Sequence, residues 1–450
     1  MNQMTRRGFA LGAVSSVAIP SVFADADIES SALTAAKKWF REAQYGMMVH
    51  WGLYSLMGGE WKGRRMDSRY LGEWAQQYFR IPNAEYAKLA QAFNPVCFNA
   101  DEWVKVAADA GMKYLVFTSK HHDGFAMFRS KVSKYNVVDA PPFGRDVVGE
   151  LAEACRRHGV RIGLYYSQDL DWHERGGGGF TEGKTWGDGA AYWTNNWDFK
   201  DVTKKEFDEY FETKAKPQVE EILTQYGDLC LIWFDVPVTL SFEQSKAFVD
   251  LVRKHQPGCL INGRIGHDLG DYFTPGDNEV PEKAKGEKLY EVIGTMNESW
   301  GYDIRDKDYK SLDEIIRNLV RSAGKNCNLL LNIGPRPDGL FPAEAMERLK
   351  GIGEWMKVNG ETIYGTRGGM VGPREWGVTT QKGNRLFVHI MNSSDKGLYL
   401  PIDAKKVKSA KMFVSGEKVV VNRSGDGITL SLPEAPKGVD TIVEVTLAGR

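Results

Sequence analysis

The sequence predicts a (β/α)8 TIM-like barrel followed by a C-terminal antiparallel β-sandwich, and two observations carry that prediction. Apolar, β-rich runs recur along residues 40–335, most of them separated by helical patterns, and such alternation builds a parallel sheet. After about Gly372 the helical patterns stop, and short strands follow one another between Gly, Asn, Asp and Pro, the spacing of a small sandwich.

In order, the barrel strands are expected over Tyr45–Tyr54, Tyr114–Ser119, Arg161–Ser167, Leu229–Asp235, Cys259–Arg264, Asp271–Thr274, Glu291–Asn297 and Asn328–Gly334. The run Leu229-Cys230-Leu231-Ile232-Trp233-Phe234 is apolar on both faces, as a strand buried on both sides must be. Helices are expected over Ala100–Ala110, Asp146–His158, Lys204–Tyr226, Phe242–His255 and Ser311–Gly324. Asp146 and Ser311 stand at N-cap positions, and Gly111, Gly159 and Gly324 stand where those helices should stop. An open doubly wound sheet is the alternative, but no G-x-G-x-x-G turn follows the first strand. The sandwich strands are expected over Leu386–Met391, Leu398–Ile402, Lys411–Val414, Lys418–Val421, Ile428–Leu432 and Thr441–Leu447. With one Trp (Trp376) and one His (His389), that region reads as a structural or docking module rather than a sugar-binding one. The domain plan is therefore 1–24, 25–371 and 372–450.

The first of those three pieces is an address. Thr5-Arg6-Arg7-Gly8-Phe9 precedes a modest apolar stretch, and Val22-Phe23-Ala24 precedes Asp25, the pattern of a Tat-type signal peptide. Residues 8–23 are too few and too rich in Gly, Ser and Ala to read as a membrane span. The expected destination is periplasmic or extracellular, with no membrane attachment after cleavage. Across the 450 residues, 58 Lys and Arg balance 59 Asp and Glu. No global field then draws the chain to nucleic acid or an acidic membrane. Five scattered cysteines without a C-x-x-C pair exclude a disulfide scaffold and a cysteine-ligated zinc site.

In a barrel, reacting groups come from the carboxyl ends of the strands. Read in order, those ends supply His50, His121-His122-Asp123, Tyr165-Tyr166, Asp235, Arg264, Asp277–Glu279, Glu291 and Asn332. Asp235 closes six apolar residues, so its burial would be costly unless the carboxylate is bonded or chemically used. A second carboxylate for general acid/base work is available from Asp277, Glu279, Glu282, Glu287, Glu291 or Glu298. His50, His121 and His122 lack H-E-x-x-H or H-x-H spacing. Neutral imidazoles that hold sugar hydroxyls are therefore favoured over metal ligands.

Several long motifs, in this order, resemble the α-L-fucosidases of glycoside hydrolase family 29. They are His50-Trp51-Gly52-Leu53-Tyr54-Ser55, Glu60-Trp61, Lys120-His121-His122-Asp123-Gly124-Phe125 and Gly163-Leu164-Tyr165-Tyr166-Ser167. Trp233-Phe234-Asp235, Ser299-Trp300-Gly301-Tyr302 and Asn328-Leu329-Leu330-Leu331-Asn332-Ile333-Gly334-Pro335 complete the set. The resemblance implies a barrel with a C-terminal β-sandwich and retaining hydrolysis of terminal α-L-fucosyl residues of glycans, with no metal or organic cofactor. It assigns Asp235 as nucleophile. One family pattern places the acid/base just before Ser-Trp-Gly-Tyr, which gives Glu291. Another places it directly after Thr-Pro, where this chain has Gly276, so Glu279 stands as the second candidate, ahead of Glu60 and Glu298. The resemblance places His50, Glu60, Trp61, His121, His122, Tyr166, Trp233, Arg264 and Trp300 at sugar-contacting positions. Trp300, Trp51 or Phe125 would wall the C5 methyl of a 6-deoxy sugar. The competing functions are a glycosidase for another α-linked deoxy or galacto-configured sugar, a non-catalytic fucose-binding protein, and a metal-dependent hydrolase.

Overall fold

The computed structural model describes residues 30–67, 71–180, 193–282 and 288–448. The expected signal peptide (residues 1–24) and Glu287 lie outside the described residues. Eight parallel strands form the first sheet: β1 Tyr45–Val49, β2 Tyr114–Lys120, β3 Arg161–Tyr166, β4 Leu231–Phe234, β5 Leu260–Ile261, β6 Tyr272–Phe273, β7 Leu289–Thr295 and β8 Cys327–Ile333. They neighbour one another in the order β5-β4-β3-β2-β1-β8-β7-β6. The ring closes through a parallel bridge between Asn262 and Tyr272 and through the Asp271 N–H donating to Ile261 O at 2.7 Å.

Strands β2, β7 and β8 are buried along their whole length, which is why their sequences are apolar on both faces. Strands β5 and β6 are only two residues long. At the end of β5 a side chain takes over from the main chain. Asn262 accepts from Phe234 N–H through Oδ1 and donates to Phe234 O through Nδ2, each at 2.8 Å. The expected strand Cys259–Arg264 is shortened there. A helix not foreseen from the sequence, Ser31–Ala43, is capped by Ser30 and plugs the N-terminal mouth of the barrel. Its Phe40 is fully buried with its ring centroid 4.7 Å from that of Tyr272 and 5.8 Å from that of Tyr114.

Asp146 and Ser311 cap their helices as expected, each accepting a main-chain N–H at 3.1 Å. Gly159 terminates its helix at φ 67. Gly324 stays helical, and the left-handed residue comes two positions later, at Asn326 (φ 61).

The C-terminal strands are antiparallel and include Gly377–Lys382 and Val407–Met412, where the sequence reading had no strand and Lys411–Val414 respectively. Lys418–Ser424 pairs with Val407–Met412 through its first two residues and with Gly427–Ser431 through the rest. That change of partner folds the sheet over a core containing Leu386, Val388, Leu400, Ile428, Leu430 and Val443, completing a β-sandwich. His389 is fully buried and hydrogen-bonded to Asp440 at 2.7 Å. It is a structural histidine.

Candidate active site

The carboxyl ends of the barrel strands surround a cavity of about 320 Å³. Its lining includes the polar His50, His121, His122, Tyr165, Asp235 and Arg264 and the apolar Met48, Leu71, Ile293 and Trp300.

Asp235 is the best-anchored group in it. Its Oδ2 accepts from the Tyr165 hydroxyl at 2.8 Å and its Oδ1 from Arg264 Nη1 at 2.9 Å. Its own N–H donates to Gln168 Oε1 at 2.7 Å, and Gln168 Nε2 donates in turn to Arg264 O at 3.1 Å. The next residue, Val236, has φ 51. That value is strained for a β-branched residue and typical of a backbone forced by its surroundings. Behind it, Asp169 Oδ2 accepts from the N–H groups of Val238, Thr239 and Leu240 at 3.0, 2.6 and 2.9 Å. The turn that carries Asp235 is therefore held from both sides. The second terminal nitrogen of Arg264 donates to Asp277 Oδ1, so one guanidinium grips two carboxylates of the cavity wall.

The histidines are poised as neutral hydrogen-bonding groups. Burial pushes His50 down to about 4 and pushes His121 and His122 well below the ordinary imidazole range. Asn332 donates through Nδ2 to Trp300 O, so its Oδ1 accepts from His50 Nδ1, leaving Nε2 as an acceptor. Ser167 likewise donates to Leu170 O and accepts from His122 Nδ1. His122 Nε2 then lies 3.8 Å from Asp235 Oδ2, too far for a direct bond and open to a hydroxyl. Among the described residues His121 Nδ1 has no partner although it is buried.

The sequence contains Gly-Glu-Trp three times, as Gly59-Glu60-Trp61, Gly72-Glu73-Trp74 and Gly353-Glu354-Trp355. The sequence reading places Glu60 and Trp61 at sugar-contacting positions and does not consider the second copy; the structure corrects it. Glu60 lies on an outer hairpin, ion-paired with Arg305, and Trp61 packs there under Lys62. Glu73 and Trp74 line the cavity instead. Glu73 Oε2 accepts from Gly301 N–H at 2.7 Å and Ser299 Oγ accepts from Gly72 N–H at 2.8 Å, docking this segment on the Trp300 loop.

Tyr166 is a second correction. It points away from the cavity, its hydroxyl donating to Gln218 at 2.9 Å, and Tyr165 takes the place expected for it. Glu279 is exposed outside the cavity wall, and Glu291 is buried below it with both oxygens engaged. Neither supplies the second carboxylate of the cavity. Trp51 is fully buried against Phe93, Phe98 and Trp103, and Phe125 packs in the same core. Trp300 alone of the three expected methyl walls lines the cavity. His50, His121, His122, Trp233, Arg264 and Asp235 are brought together as expected, joined by Tyr165, Glu73, Trp74 and Asp277.

Burial raises Glu73 to about 8, so the folded protein holds a proton there that the unfolded chain gives up near 4.5. For a carboxyl raised on folding, stability is greatest at low pH and is lost as pH climbs toward the folded value. Above about pH 6.5 the buried histidines no longer contribute, because they are neutral in both states. Stability is therefore expected to fall by roughly 1 kcal/mol between pH 7 and 8. Thermal denaturation should show this as a decline that Glu73→Gln largely removes, leaving the smaller contribution of buried Glu291, whose carboxyl is raised to about 7; a variant with the undiminished decline would reassign it.

The family described as Alpha-L-fucosidase matches residues 15–361. The tissue alpha-L-fucosidase of Homo sapiens is 30% identical over 429 residues, covering 88% of this chain and 85% of that protein. Alpha-L-fucosidase isoenzyme 1 from Paenibacillus thiaminolyticus superposes with a TM-score of 0.81 at 32% identity, over 93% of this chain and 100% of that one. The alpha-L-fucosidase AlfC from Lactobacillus casei, solved in complex with its alpha-L-fucose product, is 46% identical with a TM-score of 0.67, over 72% of this chain and 99% of that one. A parallel barrel followed by a sandwich, a cavity of histidines and carboxylates at the barrel's mouth, and these likenesses lead to one assignment: the chain belongs to the α-L-fucosidases of glycoside hydrolase family 29.

Proposed function

We propose that the protein is a retaining exo-α-L-fucosidase in which Asp235 is the nucleophile and Asp277 the acid/base. The observation that carries this reading is the Arg264 guanidinium, which bonds both carboxylates at the cavity wall. Retaining glycosidases keep their two carboxyl groups about 5–5.5 Å apart and inverting ones roughly 6.5–9.5 Å. One planar fork spanning both supports the shorter class.

In the first step an oxygen of Asp235 attacks the anomeric carbon and the bond to the leaving oxygen breaks. Asp277, protonated when the substrate binds, gives that oxygen its proton and is left as a carboxylate on Arg264. In the second step Asp277, now a carboxylate, takes a proton from water as the water oxygen displaces Asp235. The neutral His50, His121 and His122 hold sugar hydroxyls. The 6-deoxy methyl lies on Met48, Leu71, Ile293 and Trp300. Burying that methyl contributes roughly 0.8 kcal/mol, so hydroxyl recognition dominates sugar choice. The pair Arg6-Arg7 supports export by residues 1–24 to the periplasm or beyond.

A panel of 4-nitrophenyl glycosides tests the sugar, and proton NMR of the first product tests the stereochemistry. Release from the α-L-fucoside, with the α anomer of fucose formed first, is expected. Release only from another sugar, or the β anomer first, would overturn the reading.

A further inference from the structure

The reaction proposed above gives no task to Glu291, a buried acid of the barrel. Glu291 lies on β7 with its side chain inside the barrel and is fully buried. Its Oε1 accepts from the Tyr114 hydroxyl of β2 at 2.7 Å, and its Oε2 from Trp233 Nε1 of β4 at 2.9 Å. The other polar or charged groups that face it are the Tyr272 hydroxyl of β6, Arg264 beyond β5 and the Cys230 thiol before β4. Burial there raises its carboxyl to about 7. An apolar residue of the same volume would fill the space without that desolvation, so the carboxyl calls for another explanation.

Its partner supplies one. Trp233 lines the cavity, and its ring stacks on Tyr165 with centroids 5.6 Å apart at 16°; Tyr165 stacks on His121 at 5.4 Å and 10°. The Arg264 guanidinium lies over the Trp233 ring, 4.9 Å from its centroid. Among the described residues, Tyr165 and Arg264 are the side chains that hydrogen-bond the Asp235 carboxylate. Trp233 therefore touches both groups that aim Asp235, and Glu291 is the acceptor for its indole N–H. We propose that Glu291 is a positioning residue: it fixes the rotation of the Trp233 ring and, through Tyr165 and Arg264, the aim of Asp235. The proposal rests on the reading of Asp235 as nucleophile.

The test compares Glu291→Gln, which keeps an oxygen for the indole, with Glu291→Leu, which removes it; Glu291→Met serves if the Leu variant does not fold. On 4-nitrophenyl α-L-fucoside, the apolar variant is expected to lose on the order of 30-fold in kcat with KM little changed, as misplaced reacting groups do. The Gln variant should restore most of that loss. In a Trp233→Phe background, which has no indole N–H, the same change should cost less than about threefold, as expected for two residues acting as one unit. Without substrate, the indole N–H resonance of Trp233 should keep its hydrogen-bonded position in the Gln variant and move upfield in the apolar one. A Gln variant as slow as the apolar one, or an undiminished loss in the Phe background, would overturn the proposal. A wild-type protein inactive on α-L-fucosides whose indole signal still follows Glu291 would instead remove the fucosidase reading and leave the anchoring of Trp233 in place.

Discussion

Replacing Asp235 by Ala is expected to lower kcat on α-L-fucosides by on the order of 10⁴-fold or more, the scale seen when a covalent nucleophile is removed. Fucose binding should survive, because His50, His121, His122 and Glu73 are each held by contacts that do not pass through Asp235. The fold should survive as well, since Arg264 keeps Asp277 as a partner and Gln168 still holds the backbone. The positive control is chemical. A 2-fluoro fucoside should label the wild-type chain on the peptide carrying Asp235, and a label on any other peptide would take the nucleophile's role from it. Circular dichroism and fucose titration of the variant separate a lost reaction from a lost fold.

How much of this was legible depended on whether the signal was local. All eight barrel strands could be placed, most of them because runs buried on both faces leave no polar alternation to mistake for a surface strand. Their ends could not, because the groups that end them are distant: Asn262 shortens β5 by bonding to Phe234, one strand away. Tyr165 and Tyr166 show the same limit. Adjacent residues of a strand face opposite ways, and the register that pairs Tyr165 with Trp233 exists only once the strands are assembled. Gly59-Glu60-Trp61 and Gly72-Glu73-Trp74 differ in what covers them, and the Ser299–Gly301 loop that buries Glu73 lies more than two hundred residues away.

Glu291 was a different case, because the signal was there. Expected strand Glu291–Asn297 begins at that residue, and a residue that opens a barrel strand lies at the floor, away from the chemistry. The observed strand, Leu289–Thr295, keeps it in the lower half. Asp277 was visible only as one carboxylate among several. What singles it out is a bond to Arg264, thirteen residues back in the chain and on another loop.

Replacing Asp277 by Asn is expected to lower kcat/KM on natural fucosides by about 10²–10⁴-fold, the contribution of a positioned general acid. The loss should be much smaller on 4-nitrophenyl α-L-fucoside, whose leaving oxygen departs without needing a proton. Water is then the poor partner in the second step, and a small anionic nucleophile such as azide, which needs no base, should restore part of the rate by forming the fucosyl azide. Glu279→Gln should leave both substrates within about twofold of wild type, as an exposed side chain away from the cavity does. The alternative explanation of any loss at Asp277 is mechanical, since Asp277 also anchors Arg264 and Arg264 holds Asp235. The two effects separate by leaving group. A displaced Arg264 would misaim the nucleophile and slow every fucoside alike, whereas a missing proton donor penalises only those with a basic leaving oxygen. Equal losses on both substrates, without rescue by azide, would return Asp277 to a purely positioning role.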